Sequence, residues 1–340
     1  MQLLVTGGAG YIGSIMIPLL LERGHKVRCL DRFFFGKETL NDVMSNPDLE
    51  LIKDDIRWFD PEILKGVDAV ADLAALSNDP SGELDPAKTF DINYLGRVRV
   101  AKLSKEYGVK RYILASSCSV YGFREDMILD ERSPTTPLTT YAKSNLMAEK
   151  DVLMLSDSSF TVTVLRQATV YGLSPRMRFD LAVNGMVLGL FKNKEIPVMR
   201  NGEQWRPFVH VKDTAKAFIT VMESPEEKVN EETFNVGSNE QNYQIRPLAE
   251  MIGEALPISL KINWYGSPDK RSYRVSFDKI KKVLGFRPDY TPREGALEVY
   301  EALESGKVTD SIKTKTVEWY KHLLNIHATV KNIALKDTIL

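Results

Sequence analysis

Near the start of the chain stands a segment whose residue types and spacing suit phosphate binding. Thr6-Gly7-Gly8-Ala9-Gly10-Tyr11-Ile12-Gly13 follows a short apolar run, Leu3 to Val5, and precedes an apolar helical stretch, Ser14 to Leu21. Glycines between strand and helix permit a tight turn. They also let backbone amides approach a pyrophosphate with no side chain between, and allow the helix to pack closely on the strand. The helix N-terminus contributes its positive pole. Gly7, Gly10, Tyr11, Ile12 and Gly13 are therefore expected against a dinucleotide. A second strand ends at Asp31, near the offset of about 20 residues at which a carboxylate accepts hydrogen bonds from the adenosine ribose. Asp31 would repel a 2'-phosphate and so favours NAD, while the neighbouring Arg32 offers a partial contact to NADP. Asp54-Asp55 ends a third short strand, where a carboxylate could meet the adenine amino group; a solvated loop acid is the alternative for Asp54.

Two further segments carry polar groups that could face a ligand. Ser77-Asn78-Asp79 follows a fourth strand and reads either as the lining of a sugar pocket or as an ordinary polar loop. Ser174-Pro175-Arg176-Met177-Arg178-Phe179-Asp180 follows a strand and opens a helix, which could set Arg176, Arg178 and a helix N-terminus beside a nucleotide.

Such residues need a scaffold. Short β-branched or Leu-rich runs recur at Leu3 to Val5, Lys26 to Leu30, Leu51 to Ile52, Ala69 to Leu73, Tyr112 to Ala115 and Thr161 to Leu165, with helix-like segments between them. Continuously apolar strands alternating with helices imply a parallel sheet covered on both faces. The spacing predicts an α/β fold: a doubly wound, Rossmann-type parallel sheet over residues 1–172, which later segments may rejoin. A smaller, mainly substrate-binding lobe is expected over 173–324, opening with a helix from Phe179 to Phe191. Further helices are expected at Arg293 to Glu304 and Val317 to Leu324, and 325–340 reads as a tail, either frayed or packed at a subunit contact.

Composition narrows the classes of function. Lys plus Arg total 45 and Asp plus Glu 46, a formal charge of -1, so no basic excess exists to neutralise a nucleic-acid backbone. The longest apolar runs, such as Ile15 to Leu21, fall far short of the roughly 18 residues that span a bilayer. Cys29 and Cys118 are too few for a secreted disulfide framework, which fits a reducing cytoplasm. Residues 2–6 already read as a strand, so no export signal is expected. His25, His210, His322 and His327 build no zinc spacing, and no metal is expected.

At this point the chain resembles the extended short-chain dehydrogenase/reductase family, specifically its NAD-dependent nucleotide-sugar epimerases, dehydratases and decarboxylases. The resemblance runs through the glycine turn, Asp31, Asp55-Ile56, Leu73-Ala74-Ala75, Asn93 to Gly96 and Ser116-Ser117-Cys118-Ser119-Val120-Tyr121-Gly122. It continues through Tyr141, Arg206 to Asp213 and Phe234-Asn235-Val236-Gly237. It implies that Asp55, Ile56, Ala74 and Ala75 line the cofactor site. Tyr141 would take a proton from a sugar hydroxyl while Ser117 shares that hydroxyl's hydrogen bond. Arg206 would grip the substrate diphosphate, with Lys270 or Arg271 as a second cation or as exposed charge. The resemblance also implies a homodimer, built on helices near Asp85 to Tyr107 and Tyr141 to Leu155.

One position departs from the family. A tyrosine with a pKa near 10 is a poor base at neutral pH without a nearby positive charge, which the family supplies from a lysine one helical turn on. Here that position is Asn145, able to hydrogen-bond a ribose but uncharged; Lys143 lies about 200° around the helix and should point away. Cys118 and Ser119 stand where the related 4,6-dehydratases place an acidic pair, which disfavours dehydration. Cys118 itself could act as an acid/base, the alternative being a small buried residue. The expected function is an NAD-dependent nucleotide-sugar epimerase acting through a transient keto sugar at C4. The alternatives are a 4-dehydrogenase that releases the keto sugar, or a silent binding protein that has lost the lysine.

Overall fold

A computed structural model describes residues 1–267, 269, 271–334 and 338; Lys270 lies outside the described residues. Seven strands form the central sheet: β1 (Gln2–Thr6), β2 (Lys26–Asp31), β3 (Leu49–Lys53), β4 (Ala69–Asp72), β5 (Arg111–Ser117), β6 (Thr161–Gln167) and β7 (Glu232–Val236). The helices that matter for the site are α1 (Gly13–Glu22), α2 (Arg97–Glu106), α3 (Thr140–Leu153), α4 (Ala182–Asn193), α5 (Val211–Glu223), α6 (Ile245–Ala255), α7 (Pro292–Glu304) and α8 (Thr316–Ile333).

The strands lie in the order β7-β6-β5-β4-β1-β2-β3 and every pairing is parallel. The sheet is covered on both faces, which is why its strands read as unbroken apolar runs: every residue of β4 and of β6 is buried. Met16, Ile17 and Leu20 of α1 pack with Phe218 and Val221 of α5 in one core, and Val100, Ala101, Ala148 and Val152 of α2 and α3 build the other. Because β1 pairs with β2 on one side and β4 on the other, strand order reverses there. A crevice opens at the strands' carboxyl ends at such a switch point.

The second half of the chain is divided between two cores. Helices α4, α6 and α7 supply Val183, Val187, Leu248, Ile252, Ala296 and Val299 to a core of their own, whereas α5 and β7 return to the sheet. The helix expected from Phe179 begins at Ala182 instead, since the Phe179 amide donates to the Thr314 carbonyl and Arg178 and Asp180 are engaged with each other. At the other end, the helix expected to stop at Leu324 continues to Ile333, so 325–333 is helical rather than a frayed tail.

Candidate active site

The turn between β1 and α1 takes a form that side chains would block. Gly7 has φ +65°, and a Cβ there would lie 2.9 Å from the Ala74 backbone; one on Gly13 would lie 2.5 Å from the Gly8 carbonyl oxygen. Asp31, at the end of β2, accepts the amides of Ala9 at 3.0 Å and Phe33 at 2.6 Å. Burial raises its pKa and these amides lower it. Ala74 follows β4 and donates its amide to Thr6 Oγ1 at 3.2 Å, which draws that loop over the glycines. Tyr11 ties the turn to the second lobe: its hydroxyl donates to Gly172 O at 2.6 Å and accepts from Asn184 Nδ2 at 3.0 Å. A cradle that a Cβ would fill, facing a carboxylate at the end of the next strand, fits an adenosine dinucleotide. Arg32 is not free to meet a 2'-phosphate, because it donates to Asp55 at 2.6 Å. Burial raises the Asp55 pKa, but hydrogen bonds from Arg57 and Arg32 outweigh it and hold the carboxyl at about 2.

One cavity of about 1130 Å³ runs from this turn into the second lobe. It brings together Gly7, Gly10, Tyr11, Ile12, Gly13, Asp31, Asp55, Ile56, Ala74 and Ala75 with Ser77, Ser117, Tyr141, Arg176, Arg178, Arg206 and Arg271. Ser117 ends β5. Tyr141 sits in the first turn of α3, whose N-terminus is capped by Thr139, and it lines the cavity together with Ser117. Burial raises the Tyr141 pKa; Arg97, the Ser117 hydrogen bond and Arg178 lower it, while Asp79 raises it.

The arginines fall into two groups. Arg178 donates to Ser77 O at 3.0 Å and pairs with Asp180 at 2.6 Å, beside the phenol. Arg176 is set toward the cofactor side: it lies 3.6 Å over the Phe35 ring, donates to Thr316 Oγ1 at 2.9 Å, and favours ionisation of Asp31. At the far end Arg206 and Arg271 share Asp269, at 2.9 and 2.7 Å, and Arg271 also pairs with Asp79. His210 is fully buried and hydrogen-bonded to Glu298 at 3.1 Å, away from the cavity wall.

Two candidates are not brought to the cavity. Cys118 is fully buried, its thiol donating to Arg166 O at 3.3 Å, and burial raises its pKa far from that of a usable acid or base. Asn145 is 1% exposed, with its carboxamide engaged at both ends: Nδ2 donates to Tyr141 O and Oδ1 accepts from Arg97 Nη1, each at 2.9 Å. Lys143 is exposed, as its helical angle requires.

Other groups at the site were not singled out from the sequence. The cavity is also lined by Ser119 and Gln167, whose Oγ and Oε1 have no hydrogen-bond partner among the described residues. Tyr320 of α8 closes the cofactor end, its ring 6.1 Å from Phe34 and 5.6 Å from Phe35, while Trp319 donates to Phe34 O at 2.7 Å. The run Phe33-Phe34-Phe35 after β2 was the available signal, since exposed aromatics beside a ligand turn call for a cover. Among the described residues no cluster of His, Cys, Asp and Glu could hold a metal ion, and no helix is long and apolar enough to cross a membrane.

The chain is 30% identical over 316 residues to a putative UDP-glucose 4-epimerase of Methanocaldococcus jannaschii, covering 91% of this chain and all of that one. It is also 30% identical over 308 residues to UDP-glucuronic acid decarboxylase 1 of Arabidopsis thaliana, covering 87% of this chain and 68% of that protein. Among solved structures, MoeE5 in complex with UDP-glucuronic acid and NAD superposes with a TM-score of 0.79 at 25% identity, over 90% of this chain and all of that one. Residues 3–237 match the NAD dependent epimerase/dehydratase family, and the chain belongs to that family, with NAD as its cofactor.

Proposed function

We propose that the protein is a nucleotide-sugar epimerase that works at C4 through a transient keto sugar. The observation that carries this reading is the pairing of Tyr141 and Ser117 in one cavity, between a dinucleotide turn and the Arg206–Arg271 pair. NAD, when bound, supplies the hydride acceptor. The residues of the chain do the rest. Arg206 and Arg271 present planar guanidinium groups suited to a diphosphate. They would anchor the nucleotide and leave the hexose to reach the phenol. Ser117 donates to the Tyr141 oxygen and so favours its ionised form. Tyr141 then accepts the proton of the sugar hydroxyl as the carbon is oxidised, and returns it when the opposite face is reduced. Arg178 and Ser77 flank that position. Cys118 offers no acid for dehydration, which separates this site from one that eliminates water. The same proposal places the enzyme in the cytoplasm, consistent with two buried free cysteines, and as a homodimer.

Proton NMR in D2O with UDP-, dTDP-, GDP- and CDP-hexoses, with and without added NAD, tests the reading. A C4 epimer forming with no net NADH supports it. Stoichiometric NADH with a keto sugar would make the enzyme a 4-dehydrogenase, and no change in any sample despite NAD binding would favour a silent binding protein.

A further inference from the structure

A buried phenol needs a cation close by if it is to lose its proton near neutrality. The residue one helical turn from Tyr141 is neutral, yet it is bonded to a charge. Asn145 accepts from Arg97 Nη1 at 2.9 Å and donates to the Tyr141 carbonyl at 2.9 Å, linking α2 to the turn of α3 that bears the phenol. Arg97 is 1% exposed. Its Nη2 donates to the carbonyls of Asp72, at 3.1 Å, and Ala115 on strands β4 and β5, whose ends frame the cavity. Its Nε lies 3.6 Å from Asp72 Oδ2 and has no hydrogen-bond partner among the described residues. Asp72 in turn accepts the hydroxyls of Thr6 and Tyr112, each at 2.5 Å, so its charge is already shared with neutral donors.

The backbone is specially shaped to seat this side chain. Asp91–Gly96 is π-helical and leads directly into α2 at Arg97. Asn93 within it exchanges hydrogen bonds with the Leu76 backbone, at 2.8 and 3.1 Å, on the cavity rim. Single π turns of this kind are frequent at functional sites. The hydrogen bonds of Arg97 go to neutral oxygens of Asn145, Asp72 and Ala115, and its counter-charge is the Asp72 carboxylate at 3.6 Å, on the side of Nε rather than of the Nη1 that meets Asn145.

We propose that Arg97 is the cation that makes Tyr141 usable as a base, held in place by Asn145 and acting from behind the cavity wall as a positioning residue. Asn145 is then a bracket for the charge rather than a lost catalytic group. The other groups facing the phenol are Ser117 and Arg178, which favour its ionised form with Arg97, and Asp79, which opposes it. This inference rests on the proposed role of Tyr141 as base, and its test is independent of the sugar.

The full chain, labelled with 13Cζ-tyrosine and loaded with NAD, is titrated by NMR; the Tyr141 resonance is the one lost in Tyr141→Phe. In Arg97→Gln the ionised fraction of Tyr141 at fixed pH should fall about tenfold, one unit of midpoint. Arg97→Lys should stay near the parent. Arg97→Gln/Asn145→Lys, which carries the charge over to α3, should recover most of the loss. Should Arg97→Gln not fold, Arg97→Met/Asp72→Asn removes the pair together, and the Tyr141 midpoint should still rise, by less than in Arg97→Gln because loss of the Asp72 charge opposes it. An unmoved Tyr141 midpoint in the charge-removing variant overturns the proposal, as does an equal rise in Arg97→Lys and Arg97→Gln. Inactivity toward every sugar tried would count against the proposed function and leave this titration unaffected.

Discussion

Tyr141→Phe deletes a single oxygen from a side chain that lines the cavity with Ser117. Losing a general base of this kind should lower turnover roughly 10²- to 10⁴-fold. Thermal stability and NAD affinity should hardly change; if kcat survived the substitution, another group would have to be the base. Asp55 makes a different prediction. Its folded pKa of about 2 lies below the unfolded value of about 3.9, so its contribution to stability is present above the unfolded value and is lost as pH falls through the folded one. Asp55→Asn should therefore lower Tm at pH 7 and flatten the fall of Tm between about pH 4 and 2; parallel pH curves for the two proteins would refute it. Asp31 was legible in the sequence because it stands at a fixed offset from the glycine turn, whereas Tyr141 and Ser117 were reached only through the family resemblance. Arg97 was not legible, since Arg97-Val98-Arg99 has the alternation of an ordinary amphipathic surface, and only the preceding π turn carries it inward. Cys118 illustrates the converse: its position in the chain suggested chemistry, and its burial after β5 removed it.

At the scale of elements, the glycine turn is the part whose backbone alone performs a function. Gly13→Val would drive a branched side chain into the Gly8 backbone, where even a Cβ comes within 2.5 Å. The turn must then open, spoiling both the amide cradle and the packing of α1 on β1. We expect NAD affinity to fall at least about tenfold, or roughly 1.4 kcal/mol, while the far-UV CD spectrum is retained; cofactor fluorescence titration reads this directly, and unchanged binding would show that the turn is not the cofactor cradle. This strand–turn–helix unit was readable because all its determinants are local. The diphosphate end was only half readable. Arg206 and Arg271 come from segments far apart in the chain, and their shared carboxylate, Asp269, has no motif that announces it. The start of α4 was misplaced for a related reason: Leu181 is extended, with φ -93° and ψ 147°, and the segment before it is held by the distant Thr314 carbonyl.

Over the whole molecule, the first six strands follow from composition alone, because a sheet buried on both faces leaves apolar runs that no amphipathic helix produces. That later segments could rejoin the sheet was expected, but a sequence that alternates between two cores after residue 173 did not say that they are α5 and β7. For α8 a helix was expected over Val317 to Leu324, but neither its continuation to Ile333 nor the part its Trp319 and Tyr320 play in closing one end of the site was readable. The same long-range view bears on assembly. Leu95 is 54% exposed, Met147 41% and Met154 83%, on the π turn before α2 and along α3, two elements packed against each other. Apolar residues scattered singly need no explanation, but a cluster on paired helices suits a second copy of the chain meeting it about a two-fold axis. The protein should therefore be a dimer by light scattering at micromolar concentration, and Leu95→Glu/Met147→Glu should yield a folded monomer. Because α3 also carries Tyr141, a dimer contact there would stiffen the helix that holds the base, and the monomer should lose part of its activity without losing NAD. A native chain that is already monomeric at that concentration would remove both expectations.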